Sequence, residues 1–294
     1  MNQITSKDNK IFRSFEQLLQ KKYRDQRGEY LIEGENLIVE AIKTGQELRT
    51  ILARADRADD YAELIDDACG LAADGTHGTA VAARTNAFSI AENLFDKLSQ
   101  TETSQGIIAS VRKQDFDKED FLESACGDSG GSTSDASSES GIDRGGNFLV
   151  LDRLQDPGNI GTIIRTADAA GYKLVIAMKG TADIYSPKTV RAATGSLFRM
   201  PVVFMDSSTE LVEFTRAAGK KLVATCFDTD RYYFDEDLTE DIALVIGNEG
   251  NGISQEIIES SDLRIKIPMH GNIESLNASV AAGILMYEAV RGRK

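Results

Sequence analysis

The stretch from Ala243 to Arg291 most constrains what this chain can fold into. Ala243 to Ile246 is an apolar run that predicts a buried strand, and Gly247 ends it. Asn248, Glu249, Gly250, Asn251 and Gly252 follow, a loop composition that neither strand nor helix favours. Leu263 to Ile267 predicts a second strand, stopped by Pro268. Gly271 and Asn272 predict a turn, and Ser275 to Arg291 a helix. Two polar, glycine-rich loops thus follow the carboxyl ends of two strands. In open α/β sheets that edge is where ligands bind.

The same alternation extends back to Asn147. Strands are expected at Phe148 to Leu151, Lys173 to Met178, Val202 to Phe204 and Leu222 to Phe227. Helices are expected at Ile160 to Ala170, Pro187 to Ala193, Thr209 to Ala218 and Ser254 to Ser260. Apolar strands alternating with helices predict a mostly parallel sheet covered on both faces. The first region reads as a smaller α/β domain. Helices are expected at Ile11 to Leu19, Gly34 to Ile42, Tyr61 to Leu71 and Phe88 to Leu98. Strands are expected at Tyr30 to Ile32, Thr50 to Ala53, Thr79 to Ala83 and Gly106 to Val111, with Lys21 to Glu29 as a loop. Between the two regions, Cys126 to Gly146 is Gly, Ser and Asp with almost nothing to bury. Such a segment does not offset the entropy of ordering. The expected organisation is a domain over 1–113, a flexible linker over 114–146 and a second domain over 147–294.

Composition excludes several classes. No run of about 18 apolar residues exists, so no transmembrane helix is expected. The N-terminus lacks an apolar signal core, and the three cysteines, Cys69, Cys126 and Cys226, are widely spaced. That pattern predicts reduced thiols in a cytoplasmic protein. His77 and His270 share no ligand spacing with them, so no metal site is expected. A net charge of −14 argues against bulk nucleic-acid binding. A local basic cluster exists nonetheless: Lys7, Lys10, Arg13, Lys21, Lys22, Arg24 and Arg27 against Asp8, Glu16, Asp25 and Glu29. It reads either as a solvated helix face or as an RNA contact.

Three blocks carry the chemistry. In the first, Asp156 to Gly171, Pro157-Gly158 turns the chain, Asn159 suits an N-cap and Gly171 a helix end. Arg165 within that helix suits a phosphate or carboxylate; the plain alternative is a surface arginine. Gly158 and Gly161 lack the G-x-G-x-x-G spacing, and no P-loop is present, so nucleotide-cofactor enzymes of those types are not supported. In the second, Gly247 to Gly252, three glycines let backbone approach a ligand, and Glu249 is either functional or an exposed turn residue. In the third, Ser275 or Asn277 caps the last helix, with Val280, Ile284, Tyr287 and Val290 as its core or subunit-interface stripe.

Together, DPGNIGTIIRTADAAG, LVIGNEGNGIS and IPMHGNIESLNASVAAGILMYEAVR resemble, in order and spacing, the three motifs of the SpoU (TrmH) family of RNA ribose methyltransferases, within the SPOUT superfamily. YLIEGENL and SQGIIASV more weakly resemble the ribosomal-protein-like substrate-binding domain often fused ahead of it. The resemblance implies methyl transfer from S-adenosylmethionine to a ribose 2′-hydroxyl, a trefoil knot in the C-terminal domain, and a homodimer with the site at the subunit interface. It implies that Asn159, Arg165, Glu249, Ser275 and Asn277 form the catalytic site. Thr225, Gly247, Asn248, Gly252, Ile267, Met269, Leu276 and Asn277 would hold the cofactor, with Gly247 giving the purine clearance. Ribosomal RNA is favoured over tRNA because of the extra N-terminal domain. A non-catalytic RNA-binding protein that retains the knot is the other class.

Overall fold

The computed structural model describes residues 1–70, 85–122 and 146–292. The strand expected at Thr79 to Ala83, and the Gly/Ser/Asp-rich stretch from Cys126 to residue 145, lie outside these residues. The chain divides into two compact units: Met1–Gln114 with Asp183–Arg199, and Asp115–Ala182 with Met200–Lys294.

The first unit runs β1 (Asn2–Ile4), α1 (Lys10–Leu18), α2 (Lys21–Arg27), β2 (Glu29–Glu33), α3 (Glu35–Lys43), β3 (Leu48–Arg54), α4 (Ala62–Ala68), β4 (Asn86–Ile90), α5 (Glu92–Leu98) and β5 (Ile107–Arg112). Its sheet has the order β1-β4-β3-β5-β2. β1, β4 and β3 are parallel, and β5 is antiparallel to both its neighbours. Two expectations are corrected. Lys21 to Glu29, expected as a loop, forms α2, which Gly28 closes in a left-handed conformation (φ 63°). Phe88 to Leu98, expected as one helix, is strand then helix. Phe88, Ser89 and Ile90 pair in register with Asn2, Gln3 and Ile4 on one side and with β3 on the other. Ladder pairing overrides helical periodicity there.

The basic cluster is partly internal. Arg24 is buried, donates to the Leu18 carbonyl at 2.6 Å and pairs with Asp183. Arg27 reaches Ser14 and Gln17, and Arg13 pairs with Asp8.

The second unit contains β6 (Phe148–Asp152), α6 (Pro157–Ala169) and β7 (Leu174–Met178). The chain then contributes α7 (Pro187–Ala193), within Asp183–Arg199, to the first unit. It returns for β8 (Val202–Met205), α8 (Ser208–Ala217), β9 (Lys221–Thr225), β10 (Ile242–Gly247), α9 (Gln255–Ser260), β11 (Leu263–Ile265) and α10 (Ala278–Gly292). The sheet order is β11-β9-β10-β6-β7-β8, and every neighbouring pair is parallel. The central strands are buried throughout, as strands covered on both faces must be. Phe148, Val150, Ile176 and Val245 pack with Leu211 of α8 and Ile257 of α9. Phe121, within the stretch expected to be linker, joins that core edge-on to Phe148 at 6.3 Å.

On the other face α10 lies against α6 and β10. The core stripe of α10 is Ala282, Leu285, Met286 and Ala289. Of the stripe expected as core or subunit interface, Val280 and Tyr287 are 51% and 49% exposed, and Ile284 and Val290 half-buried, so it is not this unit's core. The helix is apolar on more than one face, so periodicity alone did not choose between them.

Candidate active site

The site forms at the carboxyl edge of the second sheet, beyond the central strands. The first contributor is the turn from β6 into α6. Asp156, not Asn159, is the N-cap: its side chain accepts from the Asn159 main chain at 2.8 Å, and Pro157 starts the helix. Asn159 therefore lies in the first turn with its side chain available. Its amide donates to Glu249 Oε1 at 3.1 Å, and its carbonyl oxygen accepts from Asn277 Nδ2 at 3.0 Å.

Glu249 is the hub. Besides Asn159 it accepts from the main-chain N–H groups of Gln155 and Asp156, each at 3.0 Å. Burial pushes its carboxyl up, but the hydrogen bonds from Gln155, Asn159 and Asp156 outweigh it and hold the group below the ordinary carboxylate range. A carboxylate so engaged at a helix start is an anchor and a poor proton acceptor. Asn277 closes the network from the third block. Its Oδ1 accepts from the main chain of Ser279 at 2.9 Å and of Val280 at 3.3 Å, so it caps α10 while its amide reaches Asn159. Capping and site roles coexist in one residue.

The loop after β10 is held by its own main chain. Asn248 and Gly252 exchange main-chain hydrogen bonds at 3.0 and 2.9 Å. Asn248 Oδ1 accepts from Gly250 and Asn251, and its Nδ2 donates to the Arg153 carbonyl at 2.7 Å. Gly252 has φ 68°. A Cβ on Gly247 would stand 2.4 Å from Gly252 C and from Ile253 N. Loop closure already demands this glycine, whatever a purine requires.

The remaining residues surround this network unequally. Thr225 ends β9, half-buried, and its hydroxyl donates to the Val245 carbonyl at 3.2 Å. The β9–β10 ladder ends at Ala224–Val245 while β10 continues to Gly247, and β11 reaches Ile265 beside Thr225. The strand ends therefore present staggered main-chain edges here. Ile267, Met269 and Leu276 follow β11, half-buried, and Ser275 is exposed. Main-chain groups and half-buried apolar side chains fit a flat, uncharged adenine ring. Arg165 is exposed on α6. At roughly 100° per residue it stands about 120° around the helix from Asn159, off the face that meets Glu249.

Two contributors carried little signal in the sequence. The donors from Gln155 and Asp156 are main-chain groups, which any residue type supplies. Asp152 is 2% exposed and accepts from the Ser254 main chain at 2.6 Å. Its only mark in the sequence is a charge closing the apolar run FLVL.

Residues 146–287 match the SpoU rRNA methylase family, and residues 9–109 match the MRM3-like substrate binding domain. The chain is 33% identical to a 23S rRNA (guanosine-2′-O-)methyltransferase of Bacillus subtilis, covering 98% of both chains. It is 35% identical to a 23S rRNA (uridine-2′-O-)methyltransferase of Streptomyces viridochromogenes, over 99% of this chain and 92% of that one. The AdoMet-bound crystal structure of an rRNA methyltransferase from Sinorhizobium meliloti superposes with a TM-score of 0.78 at 27% identity, over 100% of this chain and 98% of that one. This chain belongs to the SpoU rRNA methylase family.

Proposed function

We propose that this protein is an S-adenosylmethionine-dependent RNA methyltransferase that modifies a ribose 2′-hydroxyl, with ribosomal RNA as its substrate class. The observation that carries this reading is the Glu249–Asn159–Asn277 network, which joins the three family blocks at the carboxyl edge of a parallel sheet. The ribosomal choice is supported by the names of the two 23S rRNA relatives and by the substrate-binding match over residues 9–109.

The cofactor supplies an activated methyl group on a sulfonium. Thr225, Gly247, Ile267, Met269 and Leu276 would hold it, with Asn248 and Gly252 shaping the loop. What remains for the protein is alignment of the ribose and handling of its proton. Glu249, with its donors in place, fixes the α6 turn against the loop. Arg165 orients an RNA phosphate and stabilises the developing alkoxide through its planar guanidinium.

Because Arg165 does not share the Asn159 face, a second copy completes the site in this reading. The exposed Val280 and Tyr287 of α10 supply an apolar face for that homodimer. The knot belongs to the same reading. It is supported by the match of residues 146–287 to the SpoU rRNA methylase family. Among the described residues no helix is long and apolar enough to cross a membrane, and work on RNA in the cytoplasm is part of the same reading.

Calorimetric titration with S-adenosylhomocysteine, followed by ribose-methylation mapping on unmodified rRNA, tests the reading. Wild type is expected to bind and to methylate one ribose. Arg165→Ala is expected to bind equally and to methylate nothing. Folded protein that binds no cofactor, with or without RNA, would make this a scaffold instead. Methylation of tRNA alone would overturn the substrate class.

A further inference from the structure

Asp152 ends β6 with its side chain 3% exposed. A carboxylate at the end of a buried apolar strand is costly unless its oxygens are satisfied. Strand packing alone would be served by valine or isoleucine. Here Oδ2 accepts from the Ser254 main chain at 2.6 Å and Oδ1 from Arg153 Nε at 3.1 Å. In the β6–β10 ladder Asp152 stands opposite Gly247, the residue that opens the loop. The same side chain therefore sits beside the loop's entry and binds the residue at its exit.

Its neighbour completes the arrangement. Arg153 has φ 58°, a left-handed conformation that a non-glycine residue adopts only when its surroundings impose it. In that conformation its carbonyl accepts from Asn248 Nδ2, and its N–H donates to Thr181 Oγ1 at 3.1 Å. The loop is thus anchored at its entry by Asn248, at its exit by Ser254, and at its tip by Glu249. All three find their partners on the turn from Asp152 to Asn159.

We propose, on the reading that this loop holds S-adenosylmethionine, that Asp152 is a positioning residue for the cofactor. It sets the path of residues 247–254, and with it the shape of the adenosine crevice, without touching the reacting atoms. The chemical signature is an effect on cofactor binding with little effect on methyl transfer at saturation or on RNA affinity.

The test uses the full chain carrying Asp152→Asn or Asp152→Ala. Asparagine keeps an oxygen for Ser254 N–H and loses the charge; alanine loses both. S-adenosylhomocysteine affinity is expected to weaken about fivefold in the first and at least about tenfold in the second, the effect of weakening or deleting a hydrogen bond to a charged group. KM for S-adenosylmethionine should rise in parallel, with kcat and the KM for RNA within about twofold of wild type. Amide hydrogen exchange at residues 248–254 should quicken in both variants. If Asp152→Ala does not fold, Asp152→Asn decides. Unchanged exchange across the loop overturns the positioning role whether or not cofactor binds. Quickened exchange with unchanged cofactor affinity, or a lower Tm as the only effect, makes Asp152 merely structural. Wild-type protein that binds no cofactor counts against the methyltransferase reading itself and is distinguishable from either result.

Discussion

Gly247 and Gly250 lie three residues apart in one loop and have opposite requirements. A Cβ at Gly247 would meet main-chain atoms at 2.4 Å, which no side-chain adjustment relieves. A Cβ at Gly250 would meet only Asn248 Oδ1, at 3.6 Å, an ordinary contact. Gly247→Ala is expected to cost about 1–3 kcal/mol of stability, the range for overpacking, and to abolish S-adenosylhomocysteine binding. Gly250→Ala should leave both nearly unchanged. Thermal melts and calorimetry on the two variants decide it, and equal behaviour would refute the closure argument. At the same scale, Asn159 is freed from capping because Asp156 caps instead. Three residues of offset turn a helix cap into a bridge between Glu249 and Asn277.

At the scale of elements, Glu33 shows how a polar segment is held. It ends β2 and accepts from Ser99 Oγ at 2.6 Å, Thr101 Oγ1 at 2.7 Å, Ser104 Oγ at 2.9 Å and Gln100 N–H at 3.0 Å. Burial raises its carboxyl, but those hydrogen bonds win and hold it below the ordinary range. Because the folded value is depressed, the stability Glu33 contributes is present above its unfolded value, near about 4.3. It is lost as pH falls through the folded value. Glu33→Gln should destabilise the protein at neutral pH and flatten the loss of Tm between about pH 5 and pH 3. Parallel pH profiles for wild type and variant would remove this role. Across the chain, α10 makes the complementary point. Its core face and its exposed face are both apolar, so the helix pattern identified the element and not its orientation.

At the scale of the whole molecule, sequence order and compactness part company. Asp183–Arg199 lies between β7 and β8 in the chain but packs in the first unit. The Tyr185 ring lies tilted against Tyr30, 5.0 Å between centroids, beneath the ammonium of Lys113 at 4.6 Å, and Gln46 donates to the Phe198 carbonyl at 3.1 Å. The pair of buried Arg24 with half-buried Asp183 is sensitive to mutation. Removing one partner strands the other, at about 3–5 kcal/mol. Arg24→Ala is expected to lower Tm by about 10 °C, and Arg24→Met with Asp183→Leu to recover most of it. A double variant no better than the single one would show that the pair is not the source. A fragment starting at residue 147 would carry α7 without the partners it packs against.

The sequence by itself determined the alternation of strands and helices, the loops at the strand ends, and the left-handed glycine after α6 at Gly171. These follow from residue period and turn chemistry, which act over a few residues. The folding of Lys21–Arg27 into α2 and the division of Phe88 to Leu98 into β4 and α5 depended on partners elsewhere. Only the tertiary structure decided that Glu249 is filled by main-chain donors, that Asp152 holds Ser254, that Arg24 turns inward, and which face of α10 is core. Each depends on groups brought together from far along the chain, and main-chain donors leave no trace in residue identity. A local pattern states what a segment can become; burial and partners state what it does.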